Sequence, residues 1–375
     1  MVIHFFELKM THLSLELIDT FNFYFKDKAQ QAFYIYHDEQ DLLFGTKEEE
    51  EVKYRSCFEK NNITNYKFVY GEEAVVNVIK EEAIKRNLCV LHGYYPLRLI
   101  YKSFGLRLNL LSRIVFVHWG GVQEITKDKL INFRFKLGFI RRKLSYSLFK
   151  CIVVLAESDK EMWKKNYGIR NVIVSPYFPS PQNIDKRYKI IERQRKDKVK
   201  VMVAHSGHTY SNHVDILTRL KNRFDDVIEE VSCPLCYGPK DYIDEVIKVG
   251  QGLFGTRFNY FTELLPKEEY IDYIRSKDVY VTASPIQSGL FATAVALGNG
   301  LKVFCGQSNF DKYVSRGCII YHFDDLLETT KEDFVLPLKE DDIINNYEKI
   351  SDKETIQKVV DKWKEILFGK VKFDN

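Results

Sequence analysis

Short apolar runs of strand length alternate with longer amphipathic stretches along almost the whole chain. In the first half the runs predict strands at Val2–Phe6, Ala32–His37, Tyr66–Tyr70, Leu88–His92, Ile114–His118, Cys151–Leu155 and Asn171–Val174. Between them lie helical patterns such as 72–86, with apolar residues at helical spacing and charges on the opposite face. Strands that alternate with helices predict a parallel sheet covered on both faces, that is, a doubly wound α/β domain.

The rhythm breaks at Ser175-Pro-Tyr-Phe-Pro-Ser-Pro and the basic, polar run that follows. Closely spaced prolines and then a charge run predict an interdomain connection, placed at 181–198. The alternation then restarts with strands at Val199–Ala204, Val227–Ser232, Phe258–Phe261, Val279–Ala283, Lys302–Cys305 and Cys318–Tyr321. Helices are predicted from Asn212, over 240–249, 267–277 and 289–297, and over a final amphipathic stretch at 353–368. The expected division is an N-terminal domain 1–180, a linker 181–198, a C-terminal domain 199–350 and a terminal segment 351–375 packing back on the first domain. Two doubly wound Rossmann-like domains facing a central cleft, with a long last helix, is the GT-B layout. Some sugar-nucleotide epimerases and two-domain binding proteins share it, so fold alone does not choose a function.

Composition narrows the field. The chain has 375 residues, enough for two domains at roughly 150 each. Its net charge of +4 is too small to argue for nucleic acid. The seven cysteines are odd in number and several fall in apolar strands, which suits a reducing compartment. Cys233-Pro-Leu-Cys236 has metal or redox spacing but no second pair to complete a site. The N-terminus does not read as a signal peptide, and no run spans a bilayer, so a cytoplasmic protein is expected. Between Tyr94 and Lys150, twelve Lys/Arg stand against two Asp/Glu among apolar residues. The segment 134–150 can form a helix with one apolar and one cationic face, fit either for an anionic inner-membrane surface or for an ordinary solvated exterior.

The candidate chemistry sits at strand ends, where open α/β sheets bind ligands. After the first strand of the second domain comes His205-Ser206-Gly207-His208-Thr-Tyr-Ser-Asn212-His213. Gly207 would admit an anion close to backbone, and the helix that follows would offer free N–H groups to a phosphate. Ser211 or Asn212 could equally be a plain N-cap. Gln287-Ser288-Gly289 opens a small-residue helix containing Thr293, a second positive terminus for a diphosphate or simply a tightly packing helix. Glu263, past another strand, can accept from a donor hydroxyl or stand as a solvated loop carboxylate. In the first domain His92 and His118 end successive strands, and His12 follows the first. Each is a candidate base or hydrogen-bond donor, or a structural histidine. No Asp-x-Asp pair follows a strand, and there is no Walker loop or Gly-x-Gly-x-x-Gly, so neither metal-assisted transfer nor nicotinamide chemistry is expected, and no cofactor.

The order and spacing of Val2-Ile-His-Phe, Leu91-His-Gly, His118-Trp-Gly-Gly, Ser206-Gly207, Asn212-His213, Tyr237-Gly-Pro, Glu263 and Gln287-Ser-Gly289 resemble the TDP-N-acetylfucosamine:lipid II N-acetylfucosaminyltransferases. The resemblance runs over most of the chain. It implies a GT-B transferase that moves a deoxy- or acetamido-hexose from a dTDP-linked donor to a lipid-linked saccharide. The donor would lie on His205, Ser206, Gly207, Asn212, Tyr237, Glu263, Gln287, Ser288, Gly289 and Thr293. His118, His92 and His12 would line the reaction centre, and the enzyme would sit peripherally on the inner membrane. The competing readings are a sugar-nucleotide epimerase and a non-catalytic ligand-binding protein.

Overall fold

The computed structural model describes residues 1–7, 11–25, 27–28, 30–37, 51–52, 55, 58–59, 64–93, 108–119, 133–236, 238–263 and 265–371. They form two compact units, Met1–Ser180 with Glu354–Asn375, and Pro181–Lys353.

The first unit runs β1 (Val2–Glu7), α1 (Thr11–Phe25), β2 (Gln31–His37), β3 (Tyr66–Tyr70), α2 (Glu72–Ile84), β4 (Leu88–His92), β5 (Ile114–His118), α3 (Phe133–Leu148), β6 (Cys151–Val154), α4 (Glu157–Tyr167) and β7 (Val172–Val174). Its sheet has the order β3-β2-β1-β4-β5-β6-β7, with every pairing parallel. The central strands β4 and β6 are buried along their whole length, so they read as unbroken apolar runs rather than alternating ones. The second unit runs α5 (Pro181–Arg187), β8 (Val199–Val203), α6 (His213–Phe224), β9 (Ile228–Pro234), α7 (Lys240–Phe254), β10 (Phe258–Phe261), α8 (Lys267–Arg275), β11 (Val279–Thr282), α9 (Leu290–Gly298), β12 (Lys302–Cys305), α10 (Gln307–Val314), β13 (Tyr321–His322), α11 (Lys331–Val335) and α12 (Glu340–Ser351). Its sheet order is β10-β9-β8-β11-β12-β13, again all parallel. The last helix, α13 (Lys353–Phe368), returns to the first unit.

Three local differences from the sequence reading have physical causes. The run 318–321 makes a strand only at Tyr321–His322, because Asn346 clamps Ile319 through both its amide groups, at 2.7 and 2.9 Å. Helix α7 continues through Gly250 to Phe254, since the missing side chain at Gly250 leaves room for the Phe258 ring. Residues 181–198 are not a bare connector. They begin with α5, bury Tyr188, and are tied to the second unit by Arg193, which donates to the carbonyls of Lys277 (2.6 Å), Asn299 (3.0 Å) and Arg275 (3.1 Å).

A chain of polar groups runs through the middle of the first unit. Gln31 Oε1 lies 2.7 Å from His4 Nε2, His4 Nδ1 2.9 Å from His92 Nε2, His92 Nδ1 2.6 Å from Tyr177 OH, and Trp119 Nε1 donates to that hydroxyl at 2.7 Å. An amide oxygen only accepts, so His4 carries its hydrogen on Nε2. Neutral His4 then accepts at Nδ1 from His92, and His92 accepts at Nδ1 from Tyr177. Every proton is thereby placed. Burial pushes His4 down to about 4 and His92 well below its usual value, which keeps both neutral. Trp363 of α13 stacks on Tyr177 at 5.7 Å, meets Phe21 edge-on at 5.2 Å and donates to the Pro176 carbonyl at 3.0 Å.

Trp363→Ala is expected to cost about 3–5 kcal/mol, read as a lower urea midpoint, because it empties a fully buried indole and strands its hydrogen-bond acceptor. Histidines held neutral inside but free to protonate when unfolded make stability fall with pH. The unfolded chain binds protons below about 6.5 while the folded one does not until about 4. A urea midpoint that declines between pH 7 and pH 5, with a shallower decline in His4→Gln, is the expected result.

Candidate functional site

The order of the second sheet reverses between β8 and β11, and the connections leaving those strands part to opposite sides. At the end of β8 the chain turns sharply. Ala204 adopts φ 55 while its N–H still donates to Val281 O at 2.8 Å, and it is fully buried there. His205, Ser206, Gly207 and His208 follow. Two glycines let neighbouring loops close on them. The turn after β9 brings Gly238, at φ 146, so near the Gly207 carbonyl that a Cβ would overlap it. Gly289, at φ 63 after β11, lies against the His205 ring, where a Cβ would stand 2.6 Å from Nδ1.

These loops hold a concentration of unpaired buried polar atoms: His205 Nδ1, Ser211 Oγ, His213 Nε2, Gln287 Oε1 and Ser288 Oγ. Each such group costs about 1–3 kcal/mol when left without a partner. Gln287 is 4% and Ser288 8% exposed. They are held by α10, from which Asn309 Nδ2 donates to Ser288 O at 2.7 Å and Tyr313 OH to Leu290 O at 3.0 Å. Thr293 belongs to this brace, since it is fully buried and its hydroxyl donates to Gly289 O at 3.0 Å. The two helix starts differ. Helix α9 has no acidic residue in its first turn and no side-chain cap, so its N–H groups are open to an anion. At α6 the His213 N–H already donates to Tyr242 OH at 3.1 Å, and Asp215 occupies the first turn. Of the two termini read from sequence, α9 is thus the free one. Asn212 is exposed in a left-handed conformation and donates to Asp215 at 3.3 Å.

The imidazoles here are neutral at physiological pH. Burial pushes His205 down to about 4 and His213 to about 3, and it lowers His208. The further downward pushes come from His208 on His205 and from His205 on His213. Glu263 is exposed past β10, where its carbonyl accepts the Cys236 thiol at 3.1 Å. Tyr237 lies outside the described residues.

In the first unit the candidates separate. His92 ends β4 but points inward, fully buried between Phe6 (4.2 Å) and Trp363 (6.3 Å), with both ring nitrogens engaged. His118 is partly exposed at the end of β5. Its Nδ1 is buried without a partner, its ring edge meets Trp163 at 5.5 Å, and burial pushes it to about 4. His12 lies in the first turn of α1, and its side chain is outside the described residues, as are Gly120 and Gly121. Sequence reasoning passed over His4, Gln31 and Tyr177, whose roles appear only when distant strands pair. It also passed over Asn309, whose brace depends on the packing of α10. For the segment 134–150, side chains are described from residue 138. Ile140, Leu144 and Leu148 recur every fourth residue and are 44, 60 and 40% exposed, with Arg141 and Lys143 exposed beside them. None of the helices among the described residues is long and apolar enough to cross a membrane.

Solved structures with similar folds span nearly the whole chain. The N-terminal domain of Candida albicans trehalose-6-phosphate phosphatase matches 97% of this chain and 96% of its own at 11% identity, with a TM-score of 0.67. WaaG, a glycosyltransferase involved in lipopolysaccharide biosynthesis, matches 98% and 100% at 11% identity, TM-score 0.60. Anabaena Alr3699/HepE, solved in complex with UDP and glucose, matches 98% and 99% at 9% identity, TM-score 0.60. At such identities they show the fold, which is GT-B. Residues 20–316 match the family described as 4-alpha-L-fucosyltransferase, glycosyl transferase group 56, so the resemblance read in the sequence holds at the level of family. By that match over most of its length, this chain belongs to glycosyl transferase group 56, a family of hexosyltransferase enzymes.

Proposed function

We propose that this glycosyltransferase moves a deoxy- or acetamido-hexose from a dTDP-linked donor to a lipid-linked saccharide, working against an anionic inner-membrane surface. The reading is carried by one observation, the cluster of unpaired buried polar atoms where the loops after β8 and β11 meet beside the free start of α9. His205, Ser206, Gly207, Gln287, Ser288 and Gly289 would hold the diphosphate. Glu263 and Asn212, both exposed, would serve the sugar or base, a part the resemblance also gives Tyr237, with Thr293 as a support. Neither 204–213 nor 284–293 contains a carboxylate to grip a ribose diol, which favours a deoxyribose nucleotide. On the acceptor side His118, partly exposed and neutral, is the better candidate base. His92 would act only by holding its surroundings in place, and His12 keeps its place by resemblance alone. The exposed Ile140–Leu144–Leu148 stripe with its flanking cations suits a helix lying at a lipid headgroup surface.

Titration calorimetry with dTDP, UDP and GDP tests the donor: dTDP should bind most tightly. Gly289→Ala, which places a methyl against His205 at φ 63, should weaken dTDP binding by at least about tenfold (1.4 kcal/mol) with an unchanged circular dichroism spectrum. Equal binding by both proteins would remove the phosphate site from these loops. In vesicle flotation the protein should associate with anionic but not zwitterionic lipid. Leu144→Glu and Lys143→Glu should each weaken that association several-fold, at about 1 kcal/mol per basic residue; indifference to lipid charge would discard the membrane reading.

A further inference from the structure

Three of the nine histidines fall within nine residues, at 205, 208 and 213. In His205, Nε2 lies 3.4 Å from Ser206 Oγ and Nδ1 is unpaired. In His213, Nδ1 lies 3.4 Å from Tyr242 OH and Nε2 is unpaired. Each ring thus has one partnered nitrogen and one buried nitrogen without a partner. Among the described residues around them the acids are exposed or already paired: α7 carries Asp241, Asp244 and Glu245, all exposed, with Glu245 acting on the Tyr242 hydroxyl. The β8 loop adds Tyr210, stacked on His208 at 4.9 Å, and α7 adds Tyr242. In α6, the Asp215 carboxylate is taken by Arg219 at 3.1 Å and by Asn212. The start of α9 brings no charge of its own, and Arg187 of α5 reaches that turn over the Phe291 ring at 4.9 Å. A cluster built this way is uncharged when empty, because burial and the neighbouring rings all disfavour the imidazolium.

Resting on the donor reading above, we propose that His205 and His213 are proton-accepting ligands of the diphosphate. When a nucleoside diphosphate binds, a proton from solvent adds to an unpaired ring nitrogen, and the resulting imidazolium N–H donates to a phosphate oxygen. The only bonds exchanged are those of the proton: a ring N–H forms as a hydronium O–H or a buffer acid's bond to hydrogen breaks, no bond of the nucleotide changes, and the proton returns to solvent when the nucleotide leaves. Burial holds the empty pair neutral, and an adjacent polyanion reverses the balance. The free nucleoside diphosphate has one more titratable oxygen than its sugar ester, with a pKa of about 6. The protonated pair therefore favours the departing diphosphate over the intact donor, the direction that helps the glycosidic bond break.

The test is calorimetry of the full chain with dTDP and with UDP at pH 7.5, in PIPES, HEPES and Tris, whose ionisation enthalpies differ. The dependence of observed on buffer enthalpy should show uptake of about one proton per nucleotide, and affinity should fall by up to about tenfold per pH unit from pH 6.5 to 8.5. His205→Gln and His213→Gln should each reduce the uptake and weaken binding more at pH 6.5 than at pH 8.5. Nucleotide binding without proton uptake by the unaltered protein, or uptake unchanged in both variants, overturns this inference and leaves the donor reading intact. Failure of both nucleotides to bind at millimolar concentration removes the donor reading and the inference together.

Discussion

The reversal of strand order at β8 and β11 is the constraint from which the arrangement of the second unit's loops follows. Connections leave these neighbouring strands in opposite directions, so nothing in the sheet itself fills the space beyond their ends. The loops that bound this space close on one another through backbone rather than side chains. Gly238 lies on the Gly207 carbonyl, Gly289 on the His205 ring, and Ala204 turns the chain at a positive φ. A side chain at either glycine would push the loops apart. Close approach brings backbone and short polar groups of the two loops next to one another.

The unpaired groups in those loops are costly. A stable domain has a margin of about 5–15 kcal/mol, so several buried polar atoms at about 1–3 kcal/mol each are a substantial burden. The surrounding structure carries it with rigid supports: Asn309 and Tyr313 fix the turn before α9, and Asn299 and Arg193 bind the segment around residue 190 to the same unit. Thr293 belongs to that support although its position in sequence places it among ligand groups, because its hydroxyl satisfies the helix it sits in.

Much of the architecture was legible from periodicity. Strands such as Leu88–His92 and Ile114–His118 coincide with apolar runs, because a strand buried on both faces has few polar positions to confuse its limits, while the half-exposed edge strands Tyr66–Tyr70 and Phe258–Phe261 were marked by their aromatic residues. Legibility failed where a distant side chain intervened, as Asn346 does at Ile319, or where a glycine signalled a break that packing against Phe258 overrode. The candidate loops after β8 and β11 were legible because small and polar residues stood directly after apolar strands. Their relation was not. That Gly289 touches His205, and that α9 rather than α6 has the unencumbered start, depends on Tyr242, Asp215 and Asn309, which local sequence does not connect to the loops.

The two units put buried histidine to opposite uses, and burial alone does not distinguish them. His4 and His92 are as inaccessible as His213, yet both nitrogens of each are matched, in a sequence of donors and acceptors running from Trp119 to Gln31. Such a ring has no vacant valence for a ligand, and adding a proton would set two donors against each other. It is a joist between β1, β4 and the chain around Tyr177. At His205 and His213 one nitrogen is partnered and the other is not, so the ring is oriented but unfinished. His118, with Nδ1 unmatched at a partly open strand end, belongs with the second kind. The completeness of a histidine's hydrogen bonding, rather than its depth or its place at a strand end, separates the rings that frame this enzyme from those left with an unpaired nitrogen.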